Sequence, residues 1–215
     1  MSKREDIINT AIEEFSSYYY DAASINSIIE NSSTSKGTFY YYFRNKEALY
    51  IELIKESKNM KEKLSQQREE EVVNNNTTSI FQIIKRRIKA SIDFGIEYPK
   101  HSKFLINVAN EPNTKIKLKV KDLFGDSDDD HLKEVIKNSI YNNKIRENLP
   151  EDFICSLMSY QTTCFTEFLL SSGISLDSSN IGIINQYLEY YIDFLEKGLG
   201  TSSQKVKIIK DITYL

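Results

Sequence analysis

Residues that break helices are scarce and widely spaced in this chain. Its 215 residues include only seven glycines and three prolines, and the prolines stand at positions 99, 112 and 150. A fold of many short strands needs frequent turns, which are rich in glycine and proline, whereas long helices exclude both. The sequence therefore predicts an all-α fold with its prolines near helix ends.

Apolar residues recur at helical spacing along the chain. The first stripe consists of Ile7, Ile8, Ala11, Ile12 and Phe15. Ser24, Ser35 and Asn45 are good N-caps, and a helix is expected to follow each of them. Further helices are predicted at about 79–98, 101–110, 131–144, 150–170 and 178–199. Residues 114–124 alternate apolar residues with lysine, as a strand would, but a basic helix is favoured because no partner strand is evident nearby.

Composition excludes several classes of protein. The net charge of −3 gives the whole molecule no general attraction for nucleic acid. The chain contains neither a signal peptide nor an apolar run of about 18–20 residues, so no membrane partner is expected. Cys155 and Cys164 are nine residues apart and would face opposite sides of one helix, which predicts unpaired thiols and a cytoplasmic protein.

The sequence offers little to support catalysis or metal binding. The acidic stretch 126–131, "DSDDDH", lacks the glycine and glutamate of a calcium loop and is interpreted as a helix-capping acidic loop. His101 and His131 are isolated from each other and from cysteine. No catalytic triad order, phosphate-binding loop or nucleotide fingerprint stands out, so no enzyme activity, metal or cofactor is predicted.

The pattern over about 24–43 is a helix, a short turn and a second helix. In a helix-turn-helix, the second helix enters the major groove of DNA. Local charge agrees, because residues 31–46 contain Lys36, Arg44 and Lys46 without any acidic residue. Residues 1–30, in contrast, have a net charge of −4. The basic segment beside an acidic first helix indicates a directed surface for phosphate.

Five consecutive aromatic residues, "FYYYF" at 39–43, lie in the second of these helices. Phe39 and Phe43 are four residues apart and share one face, which is expected to pack on Ile8, Ile12, Ile25 and Ile28. Tyr40 and Tyr41 point away from that face, and Tyr42 lies at its border. Exposed tyrosines in this position can contact phosphates, sugars or thymine methyl groups.

The segments "IINTAIEEF" and "YDAASINSIIENSSTSKGTFYYYFRNKEALY" resemble the N-terminal domain of the TetR family of transcriptional regulators, over about residues 5–54. The resemblance implies a homodimer that binds a palindromic operator on double-stranded DNA, and a C-terminal domain that binds a small-molecule effector. It also implies DNA contacts by Ser24, Asn26, Lys36, Gly37, Thr38, Tyr40, Tyr41, Tyr42 and Lys46. Tyr19 and Ser33 depart from the family pattern, which usually has glycine at both positions.

The predicted organisation is a three-helix DNA-binding domain at 1–48, a helical ligand-binding and dimerisation domain at 49–200, and a tail at 201–215. The polar stretch 74–79, "NNNTTS", is the best candidate for a boundary visible in composition. An apolar or amphipathic ligand is expected in a pocket within residues 80–170. Its candidate lining residues are Phe81, Ile84, Ile88, Phe104, Phe124, Tyr160 and Phe165.

The last two long helices carry apolar residues on more than one side. Such helices need neighbours on more than one side, and a second subunit is the simplest source. The candidate dimer residues are Phe153, Leu157, Phe168, Ile184, Leu188, Tyr191 and Leu195. The main hypothesis is a ligand-responsive repressor. The alternatives are a protein–protein adaptor on the same fold and an enzyme with an appended DNA-binding domain, for which no catalytic residues were found.

Overall fold

Helices account for the regular structure in the described part of the chain. The computed structural model describes residues 2–70, 79–124 and 127–201. Its α-helices are α1 (Lys3–Ser17), α2 (Ile25–Asn31), α3 (Lys36–Tyr42), α4 (Lys46–Glu70), α5 (Ile80–Glu97), α6 (Pro99–Ala109), α7 (Thr114–Phe124), α8 (Ser127–Tyr141), α9 (Glu151–Ser171) and α10 (Ile181–Leu199). Within those ranges, β-type pairing is limited to one isolated bridge between Ile145 and Gly200. The all-α prediction is confirmed, and residues 114–124 are helical.

Two predicted segments lie largely outside the described residues, and a third differs from its prediction. The boundary at 74–79 is described only at Ser79, and the tail at 201–215 only at Thr201. The acidic stretch was expected to form a loop, but α8 begins at Ser127 and includes 127–131. Acidic residues in a first helical turn interact favourably with the helix dipole, which explains the earlier start. No helix in the described ranges is both long and apolar enough to cross a membrane.

Polar side chains start the helices as predicted. The hydroxyl groups of Ser24 and Ser35 accept the backbone N–H groups of Ser27 and Thr38, and Asn45 Oδ1 accepts that of Ala48. Pro99 is the first residue of α6, and Pro150 immediately precedes α9. Proline has no N–H to lose at a helix start. The two cysteines lie on α9 and are unpaired, as expected.

Helix α2 ends in a left-handed turn that is normally favourable for glycine. Ser33 has φ +49°, its N–H donates to the Glu30 carbonyl, and the Thr34 N–H donates to the Ile29 carbonyl. This is the Schellman pattern of helix termination. Tyr19 is not in this conformation, because Ser33 and Asn143 are the only non-glycine residues with positive φ in the described part of the chain. Helix α1 instead ends at an extended Tyr18.

Two hydrophobic cores organise the helices. The first combines the buried faces of α1 to α4 with Phe104 and Val108 of α6 and Ile116 of α7. The second combines α5, α8, α9 and α10. The first core therefore extends past the expected boundary at residue 48, and α6 packs directly on α1 and α4. The division at 48/49 remains a prediction.

Ser33→Gly should stabilise the chain. The left-handed conformation costs a residue with a Cβ atom about 1–2 kcal/mol, of which glycine's greater flexibility in the unfolded chain cancels part. We expect the free energy of unfolding in denaturant titrations to rise by about 1 kcal/mol. Ser156→Gly, at an exposed site inside α9, is the matched control and should lower it by about 0.5 kcal/mol. Equal losses in both variants would contradict the strain at Ser33.

Candidate DNA-binding surface

Two phenylalanines fix the orientation of α3. Phe39 is fully buried, Phe43 is 1% exposed, and both belong to the same core as Ile8, Ile12 and Ile28. The two ring centroids are 5.9 Å apart. Because residues four apart share one side of a helix, their burial directs the side chains between them away from the core. This confirms the predicted inward face of α3.

The three tyrosines between them present aromatic surface to the outside. Tyr41 is 82% exposed and Tyr40 56%, while Tyr42 is 38% exposed. The Tyr41 and Tyr42 rings meet edge to face at 5.0 Å, and Tyr40 meets Phe39 in the same way at 5.2 Å. Neighbouring rings thus support each other without covering the outward surface. Tyr42 has the intermediate exposure expected of a border residue.

The first turn of α3 lies open beside these tyrosines. Lys36 and Gly37 are exposed, and the hydroxyl groups of Ser35 and Thr38 are 2.9 Å apart. Arg44, just beyond the helix, is also exposed. Two exposed cations and a helix N-terminus thus flank the aromatic surface, an arrangement that suits phosphate.

The start of α2 is held by a carboxylate from α1. Glu14 Oε1 accepts the Ser24 N–H at 2.7 Å, and Glu14 Oε2 accepts the Ser27 hydroxyl at 3.0 Å. Ser24 is half-buried, whereas Asn26 is exposed on the following turn. Of these two candidate DNA contacts, Asn26 therefore has the freer side chain, and the Ser24 hydroxyl already serves as the helix cap.

Lys46, at the start of α4, is partly engaged within the chain. Its Nζ donates to the backbone carbonyls of Asp21, at 3.3 Å, and Ala23, and lies 4.7 Å from the centre of the Tyr20 ring. Burial lowers the pKa of Lys46, although Asp21 and Glu14 oppose that shift. An ammonium has three N–H donors, so one is left for a phosphate. This internal role cannot be predicted from the sequence, because it depends on how the α1–α2 loop folds back onto α4.

The segment that forms this surface matches a known protein family. Residues 7–53, which span α1 to the first two turns of α4, match the model for bacterial regulatory proteins of the tetR family. The helix-turn-helix domain of this chain belongs to the TetR family. No protein of curated function matches the chain.

Solved structures extend the likeness in fold to nearly the whole chain. A TetR family transcriptional regulator from Chloroflexus aurantiacus is 21% identical, with a TM-score of 0.73 over 93% of this chain and 94% of that one. A putative fatty acid metabolism regulator from Clostridium perfringens is 16% identical, with a TM-score of 0.66 over 92% and 100%. FadR from Bacillus subtilis, solved with stearoyl-CoA, is 15% identical, with a TM-score of 0.62 over 88% and 97%. The described chain thus has the fold of TetR-family regulators.

The predicted pocket residues of this TetR-type fold do not converge on one cavity. Phe81, Ile84, Ile88 and Phe165 lie in the second core, whereas Phe104 is buried in the first. Phe124 lies at the edge of the first core, with the Lys58 ammonium 4.8 Å from the centre of its ring, and Tyr160 is exposed. The sequence identified these residues as apolar but could not divide them between two cores. The seven residues therefore lie in different places in this structure, and their role in ligand binding stays a prediction.

Two openings are present among the described residues of the C-terminal helices. An aromatic groove of about 460 Å³ between α9 and α10 is lined by Cys164, Phe165, Phe168, Tyr187, Tyr190 and Tyr191. A cleft of about 40 Å³ where α4, α5, α6 and α9 meet is lined by Lys61, Ser91, Phe94, Ser102, Leu105, Ile106 and Thr166. The described residues contain no group of three or more potential metal ligands.

Helix α10 carries two apolar stripes. Ile184, Leu188 and Leu195 were expected at a dimer interface, but they are at most 3% exposed and belong to the second core. The outward stripe contains Ile183, Tyr190 and Phe194. Sequence spacing reveals both stripes but cannot tell which one faces the chain's own core, so these three assignments are corrected.

Helix α9 presents part of the predicted dimer surface. Phe153 and Phe168 are about half exposed, and Leu157 is half-buried. Tyr191 of α10, also half-buried, has its ring 5.1 Å from that of Phe165, and burial raises the pKa of its hydroxyl. Of the exposed aromatic side chains, Phe168 of α9 and Tyr190 of α10 line the groove.

Lys46→Met should destabilise the fold, because the substitution removes the ammonium that two backbone carbonyls share and keeps most of the apolar stem. Hydrogen bonds to charged groups in partly exposed positions contribute about 1–2 kcal/mol. We expect a loss of about that size in the free energy of unfolding from denaturant titration. Lys36→Met is the matched control, since Lys36 is exposed, and should change stability by less than about 0.5 kcal/mol. Equal effects would show that the Lys46 contacts contribute nothing.

Proposed function

We propose that this chain is a transcriptional repressor that binds a palindromic operator as a homodimer and releases it when a small apolar or amphipathic ligand binds. The observation that carries the proposal is the outward aromatic face of α3, which is held in place by Phe39 and Phe43. Three exposed tyrosines, with basic residues at both ends of the helix, can contact bases and phosphates in the major groove, whereas in water their rings have no binding partner.

The proposed DNA contacts divide by chemistry. Tyr40 and Tyr41 are placed to reach bases, sugars or phosphates, and Tyr42 to reach the adjacent backbone. The remaining contacts are proposed to position the domain on phosphates; they are Ser24, Asn26, Lys36, Gly37, Thr38 and Lys46. Asn26 is also able to reach a base edge. Phosphate contacts orient a domain on the duplex, and base contacts give it sequence preference.

The proposed dimer uses the aromatic surface of α9 and α10. Tyr190 and Phe194 are 62% and 70% exposed. They share one side of α10 with Ile183, and the charged residues Glu189 and Asp193 lie outside this stripe. Large contiguous apolar surfaces on globular proteins usually mark interaction sites. A second copy that packed there would cover these side chains and close the groove. We propose that this dimer presents two α3 helices to one face of the duplex.

The proposed ligand site is the cleft among α4, α5, α6 and α9. Its lining combines the Lys61 side chain and three hydroxyl groups with Phe94, Leu105 and Ile106, which suits a molecule with one polar and one apolar end. Ligand pockets usually measure about 300–1,000 Å³, so the ligand would bind a state in which these helices separate. Stearoyl-CoA, bound to FadR of Bacillus subtilis, is amphipathic in the same sense.

Tyr41→Ala should weaken operator binding without affecting assembly. The ring is 82% exposed, and a contact to a base or phosphate is worth about 1–3 kcal/mol, so we expect a loss of roughly tenfold or more in affinity. The measurement is a gel-shift titration with DNA from upstream of the protein's own gene, and Tyr40→Ala should behave in the same way. Tyr141→Ala, an equally exposed tyrosine on α8, is the control.

Two results would contradict this assignment. Wild-type protein that shifts no upstream DNA at low salt would oppose operator binding as a whole. A Tyr40→Ala or Tyr41→Ala variant that binds normally, or one that dissociates into monomers, would remove that ring from the DNA surface.

Phe194→Asp should convert the dimer into a monomer, because the substitution places a charge in the proposed apolar interface. We expect the mass from light scattering at micromolar concentration to fall by half. Leu118→Asp provides the control, since Leu118 on α7 is exposed to a similar extent and lies outside the proposed interface. A Phe194→Asp protein that kept the wild-type mass would exclude this surface as the interface.

A further inference from the structure

A buried carboxylate lies where α6 gives way to α7. Glu111 is only 3% exposed, although it stands in the short connection between these helices. Burial of a charged or polar group is costly unless hydrogen bonds replace its contacts with water. The position of this side chain therefore depends on the partners that surround it.

Two of the partners of Glu111, Tyr20 and Tyr50, come from distant parts of the chain, and a third, Asn113, is a near neighbour. Glu111 Oε2 accepts the backbone N–H of Tyr20 at 3.0 Å, and Glu111 Oε1 accepts that of Asn113 at 3.0 Å. The hydroxyl of Tyr50, on α4, lies 3.4 Å from Oε2. The two carboxylate oxygens thus each accept a backbone N–H, one from the α1–α2 loop and one from the start of α7. A carboxylate satisfies both donors, whereas an amide would turn its NH₂ group toward one of them.

Two further side chains join the same elements. Asn107 of α6 donates from Nδ2 to the carbonyls of Phe15 and Ser16, at the end of α1, at 3.0 and 3.1 Å. Asn113 donates from Nδ2 to the carboxylate of Asp21 at 2.9 Å. Hydrogen bonds from α6 therefore reach the end of α1, and those from the α6–α7 connection reach the α1–α2 loop.

The α1–α2 loop also holds two of the proposed DNA-contacting residues in place. The carbonyls of Asp21 and Ala23 hold the Lys46 ammonium, and Ser24 follows directly as the cap of α2. A displacement of Tyr20 would therefore shift the residues at the starts of both α2 and α4. The chain of contacts runs from Glu111 through the loop to the DNA-binding surface.

We propose that Glu111 is the positioning residue that couples the α6–α7 connection to the helix-turn-helix, so that DNA binding and the conformation of this connection influence each other. The proposal rests on the DNA-binding function proposed above. Coupling between two sites is reciprocal, so DNA bound to α2 and α3 must alter the α6–α7 connection if that connection alters DNA affinity. The DNA itself can thus serve as the probe, without knowledge of the ligand.

The test is amide hydrogen exchange, resolved to single residues, on full-length protein with and without the upstream DNA. In the wild-type protein, DNA should slow exchange across α2 and α3 and also in residues 107–116. In Glu111→Gln the slowing across α2 and α3 should remain, but that in 107–116 should disappear. In the absence of DNA, the Tyr20 amide should exchange faster in Glu111→Gln than in the wild-type protein. The DNA affinity of this variant should be roughly five- to tenfold lower, within the usual range of coupling.

Two matched variants separate coupling from general damage. Glu134→Gln makes the same chemical change at an exposed site on α8 and should behave as wild type. Tyr50→Phe keeps the buried ring and removes only the long hydroxyl contact, so the response in 107–116 should persist. Thermal unfolding of each variant checks that it is folded.

Three outcomes would overturn the coupling. In the first, wild-type protein binds DNA without any change in 107–116, a result that needs no variant. In the second, Glu111→Gln shows the same remote response as wild type. In the third, Tyr50→Phe loses that response as fully as Glu111→Gln does. Failure of the proposed DNA-binding function can be distinguished from failure of the coupling, because α2 and α3 themselves would then show no change in hydrogen exchange on addition of DNA.

Discussion

The burial of Phe39 and Phe43 is the constraint on which the surface of this protein depends. These two rings anchor a helix of only seven residues, α3, whose own backbone hydrogen bonds could not keep it folded in isolation. Once they are fixed in the core, helical geometry leaves Tyr40 and Tyr41 no place inside. The exposed aromatic surface is thus a consequence of packing on the opposite side of the same helix.

That packing ties the DNA-binding domain to the rest of the chain. The first core includes Phe104 and Val108 of α6, so α3 shares its interior with a helix that lies far along the sequence. Hydrogen bonds from Glu111, Asn107 and Asn113 add a polar connection to the apolar one. A change in α6 therefore has a physical route to the helix-turn-helix through α1 and the α1–α2 loop, without passing through the long helix α4.

Local features of the fold could be predicted from the sequence, and long-range ones could not. The caps at Ser24, Ser35 and Asn45, the split of the "FYYYF" run and the helix start at Pro150 all depend on neighbouring residues. The internal contacts of Lys46 and the burial of Glu111 depend on loops that meet across the fold. For α10, the sequence showed two apolar stripes, but only packing against α5 determined that Ile184, Leu188 and Leu195 face inward.

In the proposed complex, two copies of the α3 surface engage one face of a DNA duplex. Hydroxyl-radical footprinting of the upstream DNA with wild-type protein tests it most directly. We expect two protected regions with symmetry-related sequences, whose centres are separated by one helical turn, about 10–10.5 base pairs, or a multiple of it. A single protected region without symmetry, or no protection at protein concentrations that saturate a gel shift, would contradict it.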